Sequence, residues 1–398
     1  MRPLEGVRIL DLSHVLAMPY CTMILSDLGA EVIKIEKSDG DDSRKFGPYK
    51  NGESAYFMSI NRNKKSIVIN LKEEKGKEIV REFIKICDVI TENFRPGTMD
   101  KLGFSYENVK KINPGIIYAT ISQFGNDSVY PGRPGYDIIA QAYGGLMSIT
   151  GYPDKPPTRV GSSLADIISG MFSAIAILGA LRTRDKNGQG QYIDTAMVDC
   201  IIAILENAAV RYTVSGEIPQ RIGSRHPSLT PFDVFKTSDG HMVIGIGNDH
   251  LWEMFCKSIP EFNLLLMAER FKNNDSRTKN QAELKKIIEG WTEKHTTEEL
   301  VKIITDAGVP CGPVNTIDKV INDPNTKYRK MLFEFDHPIA GKMVTANSPL
   351  NLPLTPCKDH VRPPALGENT EEVLSNVLGY SKEKIEELKK DKIIYVRG

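Results

Sequence analysis

The chain has 398 residues, 40% hydrophobic and 26% charged, and its 51 basic and 51 acidic side chains cancel. That length exceeds one small core and implies two domains, while zero net charge leaves no global field to draw in nucleic acid or an anionic membrane, so neither is expected as a partner. No run approaches the length of a membrane span, and the opening Met1-Arg-Pro-Leu-Glu-Gly-Val-Arg lacks the apolar core of a signal peptide, so a cytoplasmic protein is expected.

Residues 7–12 and 31–36 are apolar-rich runs separated by a helical pattern over 17–28 that Gly29 closes, which predicts a βαβ unit. The turn after the first strand, Ser13-His-Val-Leu-Ala-Met-Pro19, has no glycine, and Gly245-Ile-Gly247 is followed by His250 where a third glycine would stand. A dinucleotide fingerprint is therefore missing, and NAD is not expected. Asn61-Arg-Asn-Lys-Lys65 is a basic turn feeding the next strand, read as a solvated surface or as a phosphate clamp. A charged helix over 72–86, a strand over 88–91 and the tight turn Glu92-Asn-Phe-Arg-Pro-Gly97 follow, with Arg95 beside the bend. A strand over 115–121 then runs into a Gly/Pro-rich loop and a helix over 138–143. Strands alternating with helices predict an α/β fold with a mostly parallel sheet whose ligands sit at the strand ends.

The stretch Gly161-Ser-Ser-Leu-Ala-Asp166, continuing to Gly179, predicts a buried helix with one charge, Asp166. Asp166 reads either as an N-cap or as a nucleophile kept ionised by the helix dipole, with Gly161 and two serines giving a substrate close approach. Farther on, 221–227 is a polar crossing, 237–240 a hairpin turn, 249–307 helical and 348–364 a Pro-rich extended linker. The six cysteines are scattered without a CxxC and the seven histidines form no HExxH, so buried thiols and no metal are expected.

Leu28-Gly-Ala-Glu-Val-Ile-Lys-Ile-Glu36, Glu92-Asn-Phe-Arg-Pro-Gly97, Gly135-Tyr-Asp-Ile-Ile-Ala-Gln141, the Asp166 stretch, Ala307-Gly-Val-Pro-Cys-Gly-Pro-Val314 and Leu366-Gly-Glu-Asn-Thr-Glu-Glu-Val373 together resemble the class III coenzyme A transferases. That family includes formyl-CoA and carnitine CoA transferases and the α-methylacyl-CoA racemases. The resemblance implies a Rossmann-like large domain with a mostly parallel sheet, a smaller α+β domain, and an interlocked ring homodimer. It implies a large domain over 1–215, a small one over 222–320, and a C-terminal part, 325–398, that returns to the large domain. It further implies Asp166 as the nucleophile that forms a mixed anhydride with the acyl group of an acyl-CoA, then passed to a free carboxylic acid. By the same resemblance coenzyme A, a substrate and not a resident cofactor, is held at Val15, Leu16, Lys37, Ile69, Asn70, Leu71, Lys72, Asn93, Phe94, Arg95 and Lys101, and Tyr56 and Tyr136 face the small acid. Formyl-CoA transferase has glutamine where this chain has Leu16, and a glycine-rich small-domain loop that the short 225–234 crossing lacks. The racemase alternative needs two bases; racemases have histidine where this chain has Tyr136, a phenol of normal pKa near ~10. Arg44, Arg62 and Arg159 are candidate partners for a second substrate carboxylate.

Overall fold

In a computed structural model of the chain, residues 2–357 and 359–396 are described. Position 358 and the outermost positions of the expected domains, 1 and 397–398, lie outside them. Two compact units emerge: unit 1 comprises 1–146, 159–216 and 324–398, and unit 2 comprises 147–158 and 217–323. The segment 147–158, counted with the large domain in the sequence reading, groups with unit 2.

Unit 1 is built on a seven-stranded sheet. Strand β1 (Arg8–Asp11) leads into helix α1 (Ala17–Asp27) and β2 (Glu31–Glu36). Then come the short helix α2 (Ala55–Ile60), β3 (Lys64–Ile69), α3 (Glu74–Ile86) and β4 (Val89–Glu92). Next are β5 (Ile117–Ser122), α4 (Asp137–Tyr143), α5 (Leu164–Asn187) and β6 (Tyr192–Ala196). The order across the sheet is β3-β2-β1-β4-β5-β6, all parallel, with Ile394–Tyr395 added antiparallel outside β3. Chain direction across the sheet reverses between β1 and β4, and the loops after those two strands diverge there to leave a crevice at the carboxyl edge. Core residues such as Leu10, Ile33, Ile67 and Ile90 lie on one face, and Ile9, Val32, Val89 and Ile117 on the other, each fully buried or nearly so. Helices on both faces bury both sides of these strands, which is why they read as unbroken apolar runs.

Helix α5 departs from two expectations. Its 24 residues are long and apolar enough to cross a membrane by length and composition, contrary to the reading that no run approaches a span. It also buries only one stripe, with Ala165, Ser169, Gly170, Ser173, Ala174 and Ile177 inward, while Met171, Phe172 and Ile175 are exposed. The inward stripe is small because α1 crosses it closely: a Cβ on Gly170 would lie 2.5 Å from the Ala17 carbonyl oxygen.

Several elements escaped the sequence reading, among them an edge strand and a hairpin. Strand β6 is a half-exposed edge strand with alternating polar residues, and Leu332–His337 pairs with Gly341–Ala346 as a hairpin. In unit 2, Phe232–Lys236 and His241–Gly245 pair across the turn at 237–240, and Cys311–Pro313 adds a third antiparallel strand. Helices including Asp249–Ser258, Gln281–Thr292 and Thr297–Asp306 cover it through a core of Phe235, Trp252, Phe255 and Leu284.

Candidate active site

Parallel strands place the loops that follow them on one edge. His14 to Leu16 follow β1, Lys37 follows β2, Asn70 to Lys72 follow β3, Asn93 to Arg95 follow β4, and Gln123 follows β5. A single cavity is lined by His14, Val15, Leu16, Asn93, Phe94 and Arg95, by Ser122, Gln123 and Tyr136, and by Asp166. The structure thus brings six of the sequence-derived residues, Val15, Leu16, Asn93, Phe94, Arg95 and Tyr136, to the cavity that Asp166 lines. Lys37, Ile69, Asn70, Leu71, Lys72 and Lys101 do not line that cavity; they lie along the same sheet edge, Lys101 in the short helix Thr98–Leu102.

Asp166 is not an N-cap. Ser163 occupies that position and Asp166 sits in the first turn of α5, with no hydrogen-bond or ion-pair partner for its carboxylate among the described residues. Burial, reinforced by the charge of Asp137, pushes its pKa up to about 7. This runs against the expectation that the dipole keeps it ionised, because desolvation of a carboxylate outweighs the partial charge of a helix end. Asp137 itself supplies the cap from outside: its Oδ1 accepts the Ala165 backbone N–H at 2.8 Å, and its Oδ2 accepts from the Gln141 amide at 2.8 Å. Gln141 in turn accepts the Val160 N–H at 2.9 Å, so α4 pins the segment entering α5. Sequence reasoning missed this role, although Asp137 and Gln141 stand four residues apart on one helix face.

The loop after β1 is held in an unusual shape. Val15, a β-branched residue, has φ 65°, a left-handed conformation disfavoured by its Cβ. Its N–H donates to Asp41 Oδ1 at 3.0 Å, and Asp41 pairs with Lys34 at 2.8 Å, while Lys34 Nζ also donates to the Ser13 carbonyl at 2.6 Å. One buried ion pair therefore grips both sides of the kink. His14 is anchored by a reciprocal pair with the Asn93 amide, 2.8 Å each way, and its ring meets Phe94 edge-on at 5.3 Å. Burial keeps the His14 imidazole below its ordinary pKa, against the opposing pull of Asp41. Beneath the loop, Asp11 accepts from Ser13 N at 2.9 Å, Thr22 Oγ1 at 2.8 Å and Lys64 Nζ at 3.3 Å. Burial alone would raise the Asp11 carboxyl, yet Lys64 and Lys34 together with hydrogen bonds from Ser13 and Thr22 outweigh it and hold it low.

That network corrects several expectations for basic residues. Lys64 is buried on Asp11 and Arg62 on Asp27, so the basic turn is neither a solvated surface nor a phosphate clamp. Arg44 is committed to Glu36 and lies over the Phe57 ring at 3.6 Å, and Arg159 stands 3.4 Å from Asp137. Arg44 and Arg62 are therefore committed within the fold, whereas Arg159 is exposed and its guanidinium reaches solvent. Ile69 is 1% exposed, so its side chain belongs to the core and only its backbone remains for a ligand. Lys37 is paired with Asp42 at 2.8 Å, whereas the side chains of Lys72, Arg95 and Lys101 have no ion-pair partner among the described residues.

Tyr56 packs against the small cluster of Leu16, Met23 and Ile60, and burial together with the negative charge of Asp166 pushes its hydroxyl up to about 12. Tyr136 is exposed, and Arg133, the nearby cation, is engaged with the Tyr143 hydroxyl at 2.8 Å and the Tyr130 ring at 4.4 Å. Cys21 is buried and its thiol is pushed well above the usual range by burial, so it does not compete with Asp166 as a nucleophile.

The sequence pattern of CoA-transferase family III matches residues 4–370. The succinyl-CoA:glutarate CoA-transferase of Mus musculus is 39% identical over 392 residues, 98% of this chain and 89% of that protein. The acetyl-CoA:oxalate CoA-transferase of Acetobacter aceti is 45% identical over 336 residues, 83% of this chain and 86% of that one. Among solved structures, a CAIB/BAIF family protein from Brucella suis superposes with a TM-score of 0.85 at 37% identity, covering 94% of this chain and 99% of its own.

Proposed function

Since the chain belongs to CoA-transferase family III and is a CoA-transferase, we propose that it moves coenzyme A from an acyl-CoA to a free carboxylic acid through an anhydride on Asp166. The observation that supports this most is the Asp166 carboxylate, unpartnered among the described residues, in one cavity with the loops after β1 and β4. A carboxylate oxygen of Asp166 attacks the thioester carbonyl carbon, the C–S bond breaks, and CoA leaves as thiolate. The thiolate then attacks the aspartyl carbonyl, releasing the donor acid and leaving an aspartyl thioester. The acceptor carboxylate displaces CoA from that thioester, and the returning thiolate takes the new acyl group and frees Asp166. Every step exchanges one acyl derivative for another, so atoms and electrons balance without a redox partner.

Three features of the chain suit this sequence. Asp166, with a pKa of about 7, is a stronger nucleophile once ionised than an ordinary carboxylate and is still partly ionised at neutral pH. The first turn of α1 has no side-chain cap, and Leu16 and Ala17 line the cavity, so its N–H groups are available to a developing oxyanion. Lys72, Arg95 and Lys101, without an ion-pair partner among the described residues, stand along the sheet edge where the CoA phosphates are proposed to lie. The acids of the named relatives, glutarate and oxalate, are the first acceptors to try. The experiment is to incubate the protein with acyl-CoA and hydroxylamine before any acceptor is added. CoA release and a hydroxamate at Asp166 are expected; a label on any other residue would reject the anhydride route.

A further inference from the structure

The cavity that holds Asp166 also contains polar atoms that the reaction as described leaves unused. Gln123 is 6% exposed and Ser122 is 8% exposed, yet Gln123 Oε1, Gln123 Nε2 and Ser122 Oγ all lack a hydrogen-bond partner among the described residues. Buried amides and hydroxyls are nearly always paired with protein, water or ligand, so three atoms without a protein partner on adjacent residues have bonding capacity that a ligand group can take up. The side chain is fitted to this place: a Cβ on Gly135 would lie 1.9 Å from Gln123 Oε1, so only glycine leaves room for the amide there. Gln123 follows β5, on the far side of the crevice from Lys37 and Asn70 to Lys72. Together with Arg95 on the neighbouring loop, it lines the cavity that Asp166 also lines.

The set offers the two N–H groups of Nε2, one obligate acceptor in Oε1, and a hydroxyl in Oγ that both donates and accepts. A second carboxylate on the substrate would satisfy Nε2 and Oγ but set an anion against Oε1. A trans amide of the CoA arm presents its N–H and C=O on opposite edges, so it cannot serve both ends of the glutamine amide. A hydroxyl donates and accepts at once, so a single one bridges Oε1 and Nε2 of the same amide. We propose that Gln123 and Ser122 hold a hydroxyl on the acyl group, making hydroxy-substituted carboxylic acids the preferred substrates. This rests on the reading that the acyl group is carried by Asp166.

The test compares kcat/KM for matched acceptors, butyrate against 2- and 3-hydroxybutyrate and glutarate against 2-hydroxyglutarate, with succinyl-CoA as donor. At least one hydroxy acid should exceed its parent about 10-fold or more, since a site built to pair a hydroxyl rejects the analogue without one. Gln123→Met should bring that ratio to about 2-fold or less, and Ser122→Ala should lower it. Neither variant should have a lower thermal midpoint, because each removes unpaired buried polar atoms, whereas a purely structural glutamine would lower it. Equal use of parent and hydroxy acids by the wild type, with Asp166→Asn still abolishing transfer, would overturn this inference and leave the Asp166 reading intact. So would a preference that survives in Gln123→Met, a uniform rise in KM for every acyl-CoA, or failure of both variants to fold. Undiminished transfer by Asp166→Asn would instead overturn the reading on which the inference rests.

Discussion

At the scale of single residues, Asp166 combines poor solvation with a required negative charge. Its pKa of about 7 predicts that kcat/KM for acyl-CoA rises as pH increases through 7 and levels above it, a pH–rate profile that initial rates would trace. The same shift bears on stability. A carboxyl raised from 3.8 in the unfolded chain favours the fold fully only below that value, and this contribution is lost as pH rises through 7. Asp166→Asn should therefore resist denaturant better than the wild type at pH 8 and equally at pH 3, while losing transfer by roughly 10³ or more. Val15 poses the complementary case, where strain is held by a neighbour. Asp41→Asn weakens the grip on the Val15 N–H and should lower kcat about 10-fold, with KM changed less. Adding Val15→Gly should restore much of the loss, since glycine adopts φ 65° without a Cβ penalty. A double variant as slow as Asp41→Asn would show that the carboxylate acts by another route.

At the scale of elements, the crossing of α1 and α5 sets the position of both the kinked loop and Asp166. Ala17 begins α1 immediately after Val15 and Leu16, and it is the Ala17 carbonyl that a Cβ on Gly170 would meet at 2.5 Å. Gly170→Ala is thus expected to cost about 1–3 kcal/mol by overpacking and to reduce kcat as the helices separate. Denaturation curves and single-turnover rates would check both. An equivalent change at Gly179, whose Cβ would meet nothing within 4 Å, should be tolerated. The cations on the loops after β3 and β4 make a separate expectation. Arg95→Ala, Lys72→Ala or Lys101→Ala should raise KM for acyl-CoA more than each lowers kcat, whereas Lys37, already held by Asp42, should matter less.

For the whole molecule, the outward face of α5 carries Met171, Phe172 and Ile175, the last 62% exposed, on the same helix as Asp166. Contiguous exposed apolar residues call for a covering partner. We propose that a second copy of the chain covers them in an interlocked homodimer. Sedimentation should then show a dimer that persists on dilution to the detection limit and separates only on unfolding. A folded monomer would contradict this.

The amino-acid sequence by itself determined the parallel core. Its apolar runs at β1, β2 and β4 and the helical period between them are local patterns that survive without knowledge of neighbours. The motif segments likewise pointed to Asp166 and to the loops at the strand ends, because turn residues and a lone carboxylate are legible one position at a time. Other features depend on which side chains meet across long separations in sequence. Lys64 and Arg62 read as surface charges until the start of β3 is seen against β1 and α1, where Asp11 and Asp27 take them in. The cap on α5 comes from Asp137, twenty-eight positions before the N–H it accepts. Strand β6 was hidden because an edge strand has no continuous apolar run to betray it. The pKa of Asp166 and the unpaired amide of Gln123 arise from burial and from neighbours brought by other strands and helices. Desolvation and hydrogen-bond pairing are properties of a three-dimensional environment, and only the tertiary structure decided them.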